Sequence, residues 1–397
     1  MPEKNRRGLT LLSHLYLLSQ INPERYSIPP PLRHLMGKYK YRVVDSDAHY
    51  MEGLDQLVDY FPEPWKSRMI GGSGKDKASI AGIYPISTGD RSVFGRIQRD
   101  EFTEMQRNAG GFTPEIIPDV MEFLGVDAIN MLSQKMLTFS RIKGDDERAT
   151  LLANAYTDYM LDKVVNPDEG IYTMAPLPFQ EPKEAVELID RVSHEKGIIG
   201  GCFVTAGPEP PFGNRKYDPI YEAAEANDLP IVFHAGGGGI DEFVSAGYEK
   251  FIETHVLGFL MANQSQITSL VIQGIPEKFP NLKIVFQESG VFWIPLMMHR
   301  LDTEYLKRQS EAPLLKKKPS EYIKDMYFGI QPLEVPEDLS YLRQVIDMIG
   351  GADRLLYASD YPHWDYDPPS AITDLSILSD DEKQRVLAGT AHEVFGI

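Results

Sequence analysis

Four residues of this sequence have the types and positions expected of a site that binds a divalent metal ion. Asp47 and His49 form an Asp-x-His pair that closes an apolar run, and His234 and Asp360 close two further apolar runs. Taken singly, an Asp at a strand end is more often a helix cap, and a buried His is more often a core residue with ordinary partners. Together, two imidazoles and two carboxylates supply the nitrogen and oxygen ligands that divalent metals prefer. The four residues therefore predict a metal site, provided that the fold brings them together.

The pattern between these residues predicts a barrel that would do so. Several runs are continuously apolar, which is typical of parallel strands buried on both faces, and longer helical patterns separate them. Eight alternations favour a closed (β/α)8 TIM barrel over an open sheet, with the site at the carboxyl ends of the strands. Strand side chains alternate between faces, so Asp47 and His49 are predicted to point the same way. The predicted strands are 41–49, 127–132, 171–176, 198–205, 230–235, 283–288, 326–330 and 355–360.

Two segments fall outside this alternation. Residues 1–40 predict an N-terminal helical arm ending in a proline-rich connector, and residues 41–397 predict the barrel. Within the barrel, residues 61–118 separate the first two strands by far more than one helix. We interpret them as an insertion that forms a lid or rim over the barrel mouth.

Composition excludes several classes of function. The 397 residues are 42% apolar and 25% charged, which is ordinary for a soluble globular protein. The formal net charge of −18 disfavours binding to nucleic acid or to an anionic membrane. A single cysteine excludes a disulfide framework and a thiolate zinc site. No apolar run is long enough for a membrane span, so we expect a cytoplasmic protein that acts on a small molecule.

A nucleotide-binding open sheet is the alternative fold. The glycine run 236–239 follows a predicted strand, but it lacks the spaced G-x-G-x-x-G pattern of dinucleotide sites. The barrel is therefore preferred.

Several segments of the sequence resemble a known family. They are Asp47-Ala48-His49, residues 229–236 and 279–290, and Ser359-Asp360-Tyr361-Pro362-His363. They are similar to the amidohydrolase-related family, which includes the aminocarboxymuconate-semialdehyde decarboxylase-like and γ-resorcylate decarboxylase-like enzymes. The resemblance covers roughly residues 41–397. It implies a (β/α)8 barrel, a homodimer, and one divalent metal, zinc most often and manganese sometimes, bound by Asp47, His49, His234 and Asp360.

The sixth strand departs from the family pattern. Decarboxylase relatives carry a catalytic His where this chain has Glu288, which is either an acid or base for proton transfer or a structural carboxylate. His255, predicted to lie in a loop, is a candidate to replace the missing His or else a residue outside the chemistry. His363 is expected to orient Asp360 or to contact substrate, and Tyr361 and Trp364 are expected to line a pocket for a planar substrate.

These observations predict a metal-dependent hydrolase that acts on a small cyclic or aromatic acid or amide. A metal-activated water would attack the carbonyl, with Asp360 or Glu288 taking the proton. The alternative is a non-oxidative decarboxylase of an aromatic or unsaturated acid. Because the sixth-strand His of the decarboxylases is missing, this alternative ranks slightly below hydrolysis. The rival from another class is an inactive barrel that serves as a binding protein.

Overall fold

The barrel is built from eight parallel strands. The computed structural model describes residues 39–52, 56–70, 113–236, 251–363 and 365–397. Within these residues, each strand pairs with the next in chain order, which confirms the predicted (β/α)8 fold. The strands are β1 (Val44–Tyr50), β2 (Ala128–Ser133), β3 (Ile171–Pro176), β4 (Ile198–Val204), β5 (Ile231–His234), β6 (Ile284–Gln287), β7 (Tyr327–Gly329) and β8 (Leu355–Leu356).

Helices connect the strands and cover the barrel, and several of them are amphipathic. In the helix Pro182–Val192, the buried side chains Ala185, Leu188, Ile189 and Val192 recur at helical spacing on one face. The described helices are α1 (Trp65–Ile70), α2 (Ile117–Leu124), α3 (Asp146–Tyr159), α4 (Pro182–Val192), α5 (Asp218–Ala226), α6 (Phe251–Ile272), α7 (Ile275–Lys278), α8 (Trp293–Lys307), α9 (Pro319–Ile323), α10 (Leu339–Ile349), α11 (Ser370–Thr373), α12 (Asp380–Gln384) and α13 (Thr390–Phe395). No described helix has both the length and the apolar character needed to cross a membrane.

The barrel closes between β1 and the segment that follows β8. Ser46 N–H donates to Tyr357 O at 3.0 Å, and Asp360 N–H donates to Asp47 O at 2.8 Å. His49 N–H donates to Tyr361 O at 2.6 Å. Two predicted metal ligands on β1 and one after β8 therefore belong to the seam of the barrel.

Strand alternation divides the core into two layers. On β5, Val232 packs inside the barrel, and Phe233 packs in the outer core against the helices. His234 is the next inward-facing residue and reaches the carboxyl end. The amino end of the barrel interior is apolar and includes Phe395 and Ile397 from the end of the chain. Buried polar side chains are thereby concentrated at the carboxyl ends of the strands.

Five strands end earlier than predicted, namely β4, β5, β6 and β7 by one residue each and β8 by four. The sixth strand was predicted to run to Glu288 but ends at Gln287, and the eighth was predicted to run to Asp360 but ends at Leu356. Glu288 and Asp360 have φ angles of 59° and 61°, which break the extended backbone. Most of the predicted arm, the centre of the predicted insertion and the glycine run after Gly236 lie outside the described residues.

Candidate metal centre

The four predicted metal ligands converge at the carboxyl end of the barrel. Nε2 of His234 lies 3.2 Å from Oδ1 of Asp47, and Nε2 of His49 lies 3.8 Å from the same oxygen. Nε2 of His49 also lies 2.9 Å from Oδ1 of Asp360. Atoms that share a metal ion at about 2.1 Å lie roughly 3.0–3.4 Å apart in octahedral or tetrahedral geometry. The side chains form two overlapping groups with the spacing of metal ligands, Asp47, His49 and His234 in one and His49, Asp360 and His363 in the other.

The same side chains carry unsatisfied polar atoms. Asp47, His49, His234 and Asp360 are all buried, with at most 1% of each residue exposed. Among the described residues, Oδ2 of Asp47, Nδ1 of His49 and Oδ2 of Asp360 have no hydrogen-bond partner. Two buried carboxylates with unused oxygens are costly unless a positive charge lies between them. The donor set of two carboxylates and two imidazoles fits one divalent cation.

Burial and the charges of neighbouring side chains shift the pKa values of residues in the cluster. Burial and the neighbouring His363 lower the pKa of His49. Burial opposes protonation of His234, but the charge and hydrogen bond of Asp47 outweigh it, so the pKa of His234 is raised. Burial alone would raise the pKa of Asp360, whereas the charges and hydrogen bonds of His363 and His49 bring it below its usual range. The two buried carboxylates of the cluster therefore favour positive charge close by, which a bound cation would supply.

Glu288 lies between two imidazoles rather than in open solvent. Its Oε2 is 3.3 Å from Nδ1 of His234, and its Oε1 is 4.0 Å from Nδ1 of His363. Nδ1 of His234 also contacts the backbone oxygen of Ala235. Because Nε2 of His234 faces Asp47, Glu288 lies on the opposite side of the ring. A carboxylate in this position fixes the orientation of a metal-binding imidazole.

Glu288 and Asp360 both have a left-handed backbone conformation. A positive φ is uncommon for residues other than glycine and costs of order 1–3 kcal/mol. Each residue directs a buried carboxyl group toward the cluster from just beyond a strand end. Strained positions of this kind cluster at functional sites.

Replacing Glu288 with Gln is expected to weaken metal binding and to slow turnover. The amide keeps the volume but removes the charge that faces His234 and His363. We expect the dissociation constant for the metal to rise by about 10–100-fold and kcat at saturating metal to fall at least about tenfold. Titration with zinc or manganese, followed by kinetics at saturating metal, would measure both. Glu311→Gln, on an exposed 3-10 turn, is the control. If both quantities are unchanged, Glu288 is a structural residue only.

His363 extends the cluster toward solvent. Its Nδ1 lies 2.6 Å from Oδ1 of Asp360, and its Nε2 donates to Oε1 of Gln134 at 2.7 Å. Its ring stacks on His49 with centroids 4.4 Å apart. His49, Asp360 and His363 form a second group of side chains with the spacing of metal ligands. Gln134, which the sequence analysis did not select, holds His363 against Asp360.

The remaining predicted site residues have different positions. The prediction that His255 lies in a loop was wrong. His255 lies near the start of α6, because the connection after β5 forms a 22-residue helix. Its Nε2 lies 3.5 Å from Oδ2 of Asp365, a residue that the sequence analysis missed. Burial and the charge of Asp360 raise the pKa of Asp365 to about 6.

Tyr361 is fully buried in the outer core, which does not support a contact with substrate. Trp364 lies outside the described residues.

Asp45 is a further buried carboxyl group that positions the cluster. Its Oδ1 accepts from Ser359 N–H at 2.9 Å and from Asp47 N–H at 3.2 Å, and its Oδ2 accepts from the Ser359 hydroxyl. It therefore links the backbones that carry Asp47 and Asp360. Burial raises the pKa of Asp45 to about 7. The Asp45-Ser46-Asp47 sequence is the signal that could have identified it.

Glu52 provides a pH-dependent contribution to stability outside the cluster. Its Oε1 accepts from the Ser133 hydroxyl and from Lys135 N–H, but Oε2 has no hydrogen-bond partner among the described residues. Burial raises the pKa of Glu52 from 4.5 to about 7. A raised folded-state pKa gives stability that is complete below pH 4.5 and lost as the pH rises through 7.

Glu52→Gln is expected to remove this loss. Between pH 5 and pH 8, the variant should gain about 2–3 kcal/mol in unfolding free energy relative to the unsubstituted protein. Urea denaturation of metal-free protein at several pH values measures the difference. The exposed Glu337→Gln is the control and should show no such trend. Parallel pH profiles for the unsubstituted protein and Glu52→Gln would contradict the assignment.

Comparison with known proteins places this geometry in a family. The amidohydrolase family model matches residues 135–397, which is more than half of the chain. The chain belongs to the amidohydrolase family. The match includes His234, Glu288 and Asp360, whereas Asp47 and His49 precede it.

Decarboxylases are among the relatives of this amidohydrolase. A gamma-resorcylate decarboxylase from Polaromonas sp. is 22% identical over 259 residues, which cover 63% of this chain and 78% of the relative. This agrees with the family resemblance seen in the sequence. The chain is an enzyme of the amidohydrolase superfamily, and its reaction is considered below.

Two solved structures share its fold. An amidohydrolase from Mycobacterium avium subsp. paratuberculosis superposes with a TM-score of 0.71 at 20% identity, over 90% of this chain and 100% of that one. A dihydroxybenzoic acid decarboxylase from Polaromonas sp. JS666, with bound manganese and the inhibitor 2-nitroresorcinol, gives 0.60 at 17% identity, over 90% and 97%. At these identities the likeness supports the fold alone.

Proposed function

We propose that this amidohydrolase removes CO₂ from a small aromatic carboxylic acid without oxidation. One divalent metal ion would be held by Asp47, His49, His234 and Asp360. The observation that carries the choice of reaction is that the relative matched over 63% of the chain is a decarboxylase. The buried cluster of unsatisfied carboxylates and imidazoles supports the same chemistry.

The residues of this chain have distinct roles in the proposed reaction. A divalent metal ion held by Asp47, His49, His234 and Asp360 would supply positive charge that polarises the oxygens of the substrate. Nδ1 of His363 lies 2.6 Å from Asp360 Oδ1, so a proton can pass from the imidazole to the carboxyl group and on to the ring carbon. The ring carbon then loses its bond to the carboxylate, the electron pair returns to the ring, and CO₂ leaves. Gln134 and Glu288 hold the two imidazoles in place.

Hydrolysis is the second candidate, although the sequence analysis placed it first. One observation favours it, namely a carboxyl group at Glu288, where the family resemblance leads us to expect His. However, Glu288 lies against His234 and His363, where it can orient them without exchanging a proton with substrate. We therefore rank decarboxylation ahead.

Metal analysis followed by activity screening tests the proposal. The untagged protein is purified without chelators, and its metal content is measured by inductively coupled plasma mass spectrometry. We expect about one zinc or manganese ion per chain and CO₂ release from hydroxylated benzoic acids. Turnover of amides, esters or lactones without CO₂ release would support the second candidate. No metal, and none regained on dialysis against zinc or manganese, would contradict both.

Two finer predictions accompany this proposal. We expect the native metal to be zinc rather than manganese. Turnover after dialysis of the metal-free protein against each metal compares the two ions. The family resemblance implies a homodimer, which stays a prediction that light scattering can test. The cytoplasmic location also stays a prediction.

A further inference from the structure

The mouth of the barrel has two chemically different sides. The candidate metal centre lies on β1, β5 and the segment after β8. On the opposite side, a small chamber opens between the carboxyl ends of β2, β3 and β4 and the turn that follows β2. We call it the β2–β4 chamber, and its lining includes Leu132, Ser133, Met136, Met174, Cys202 and Val204.

The chamber is adjacent to the metal centre. Val204 is the register partner of His234 across β4 and β5, so their side chains project side by side. Cys202 projects to the same face two residues earlier, and its partner on β5 is Val232. Gly236 continues the wall, because a Cβ there would lie 2.7 Å from Val204 Cγ1. A substituent on a molecule bound at the cluster can therefore reach the chamber past Val204.

The chamber offers a ligand little besides apolar surface. None of its lining residues is charged. The Ser133 hydroxyl donates to Glu52 and accepts from Met136 N–H, so its bonding capacity is largely used within the protein. Burial, with the charge of Asp47, raises the pKa of the Cys202 thiol, which is therefore neutral. Tyr156 is the other lining residue with a side-chain hydroxyl, so a carboxylate placed in the chamber would exchange its hydration for little polar contact.

We propose that the β2–β4 chamber receives a small apolar substituent on the ring of the substrate, while the carboxylate to be removed lies at the metal centre. This inference rests on the proposed function and narrows its substrate class. The substrate is a monocarboxylic aromatic acid with hydrogen or a methyl-sized group on the edge that faces the chamber. An acid with a second carboxylate on that edge is rejected.

A substrate series tests this assignment in the metal-loaded enzyme. Hydroxybenzoic acids carrying hydrogen, methyl, propyl or carboxylate at each free ring position are compared by kcat/KM. At one position we expect methyl to be accepted, propyl to be at least about tenfold poorer and carboxylate at least about 100-fold poorer. If the carboxylate-substituted and methyl-substituted acids have similar kcat/KM values at every ring position, the proposal is wrong.

Met174→Ala and Met131→Ala separate the chamber from general destabilisation. Met174 is buried on β3 and lines the chamber, whereas Met131 is equally buried on β2 but packs in the outer core. Met174→Ala should improve the propyl-to-methyl ratio of kcat/KM by at least about tenfold, because it enlarges the chamber. Met131→Ala should leave the ratio unchanged. An unchanged ratio in Met174→Ala, in a protein that remains folded by circular dichroism, would overturn the proposal.

Binding measurements separate failure of this inference from failure of the proposed function. The phenols that correspond to the series lack the carboxylate and can be titrated calorimetrically without any turnover. If no acid releases CO₂, but methylphenol binds and Met174→Ala shifts the preference toward propylphenol, the function is wrong and the chamber assignment stands. If acids are decarboxylated but neither the acids nor the phenols respond to Met174→Ala, the chamber assignment is wrong and the function stands.

Discussion

His234→Ala is expected to yield a folded protein that no longer retains a stoichiometric divalent metal. His234 is fully buried, and its Nε2 lies 3.2 Å from Oδ1 of Asp47. Removing the imidazole takes away one ligand and leaves the Asp47 carboxylate with less positive charge nearby. Loss of residues that merely support a ligand weakens metal binding about 10–100-fold, so loss of the ligand should cost at least about 100-fold. Mass spectrometric metal analysis and titration with zinc or manganese measure the effect.

Two comparisons make this result interpretable. His299 is exposed on α8, and His299→Ala should bind metal like the unsubstituted protein. The thermal midpoint of metal-free His234→Ala, compared with metal-free unsubstituted protein, shows whether the fold survives. Full metal occupancy in His234→Ala would show that His234 on β5 is not a metal ligand.

Asp360→Asn should abolish most of the turnover while preserving the fold. Asp360 contacts His49 and His363 and is the carboxyl group that we place next to the reacting carbon. Positioned acids and bases contribute about 10²–10⁴-fold, and Asp360 is also a proposed ligand, so we expect kcat to fall at least about 1,000-fold. Asn tolerates the φ of 61° at this position better than most residues, so stability should change little. The assay is run at saturating metal, with the metal dissociation constant measured separately.

Asp353→Asn is the matched control for Asp360→Asn. Asp353 is exposed and pairs with Arg385 on the surface, so its loss should leave kcat unchanged. Asp360→Ala provides a second check, because Ala is disfavoured at positive φ and should cost about 1 kcal/mol more stability than Asn. Turnover of Asp360→Asn within tenfold of the unsubstituted enzyme would exclude Asp360 as the proton donor.

The barrel itself was predictable because its signal is local. Each strand is a short apolar run, and in the structure Val232 and Phe233 of β5 lie in different layers of the core. The strand ends were less predictable. Glu288 and Asp360 adopt positive φ, and no pattern of apolar residues reports a single reversed backbone angle. The helical position of His255 was missed for a similar reason, because the polar and apolar residues of α6 are not segregated to opposite faces and give no amphipathic signal.

The convergence of the candidate ligands was predictable, but their supports were not. Asp47, His49, His234 and Asp360 stand at strand ends, and a closed barrel places all such positions around one mouth. Gln134 and Asp365 act on residues far away in sequence, so only three-dimensional structure brings them to His363 and His255. The β2–β4 chamber escaped prediction because apolar lining residues have the same composition as core residues.

The seam of the barrel has a consequence for how the protein is made. Asp45 and Ser359, whose hydrogen bonds hold the two sides of the seam together, are 314 positions apart in the chain. A chain emerging from the ribosome therefore carries the first half of the metal centre long before the second half exists. Fragments that stop before Ser359 contain β1 to β8 but lack Asp360 and the closing hydrogen bonds made by Ser359, Asp360 and Tyr361. Retained metal would then report the fraction of chains whose synthesis and folding have been completed.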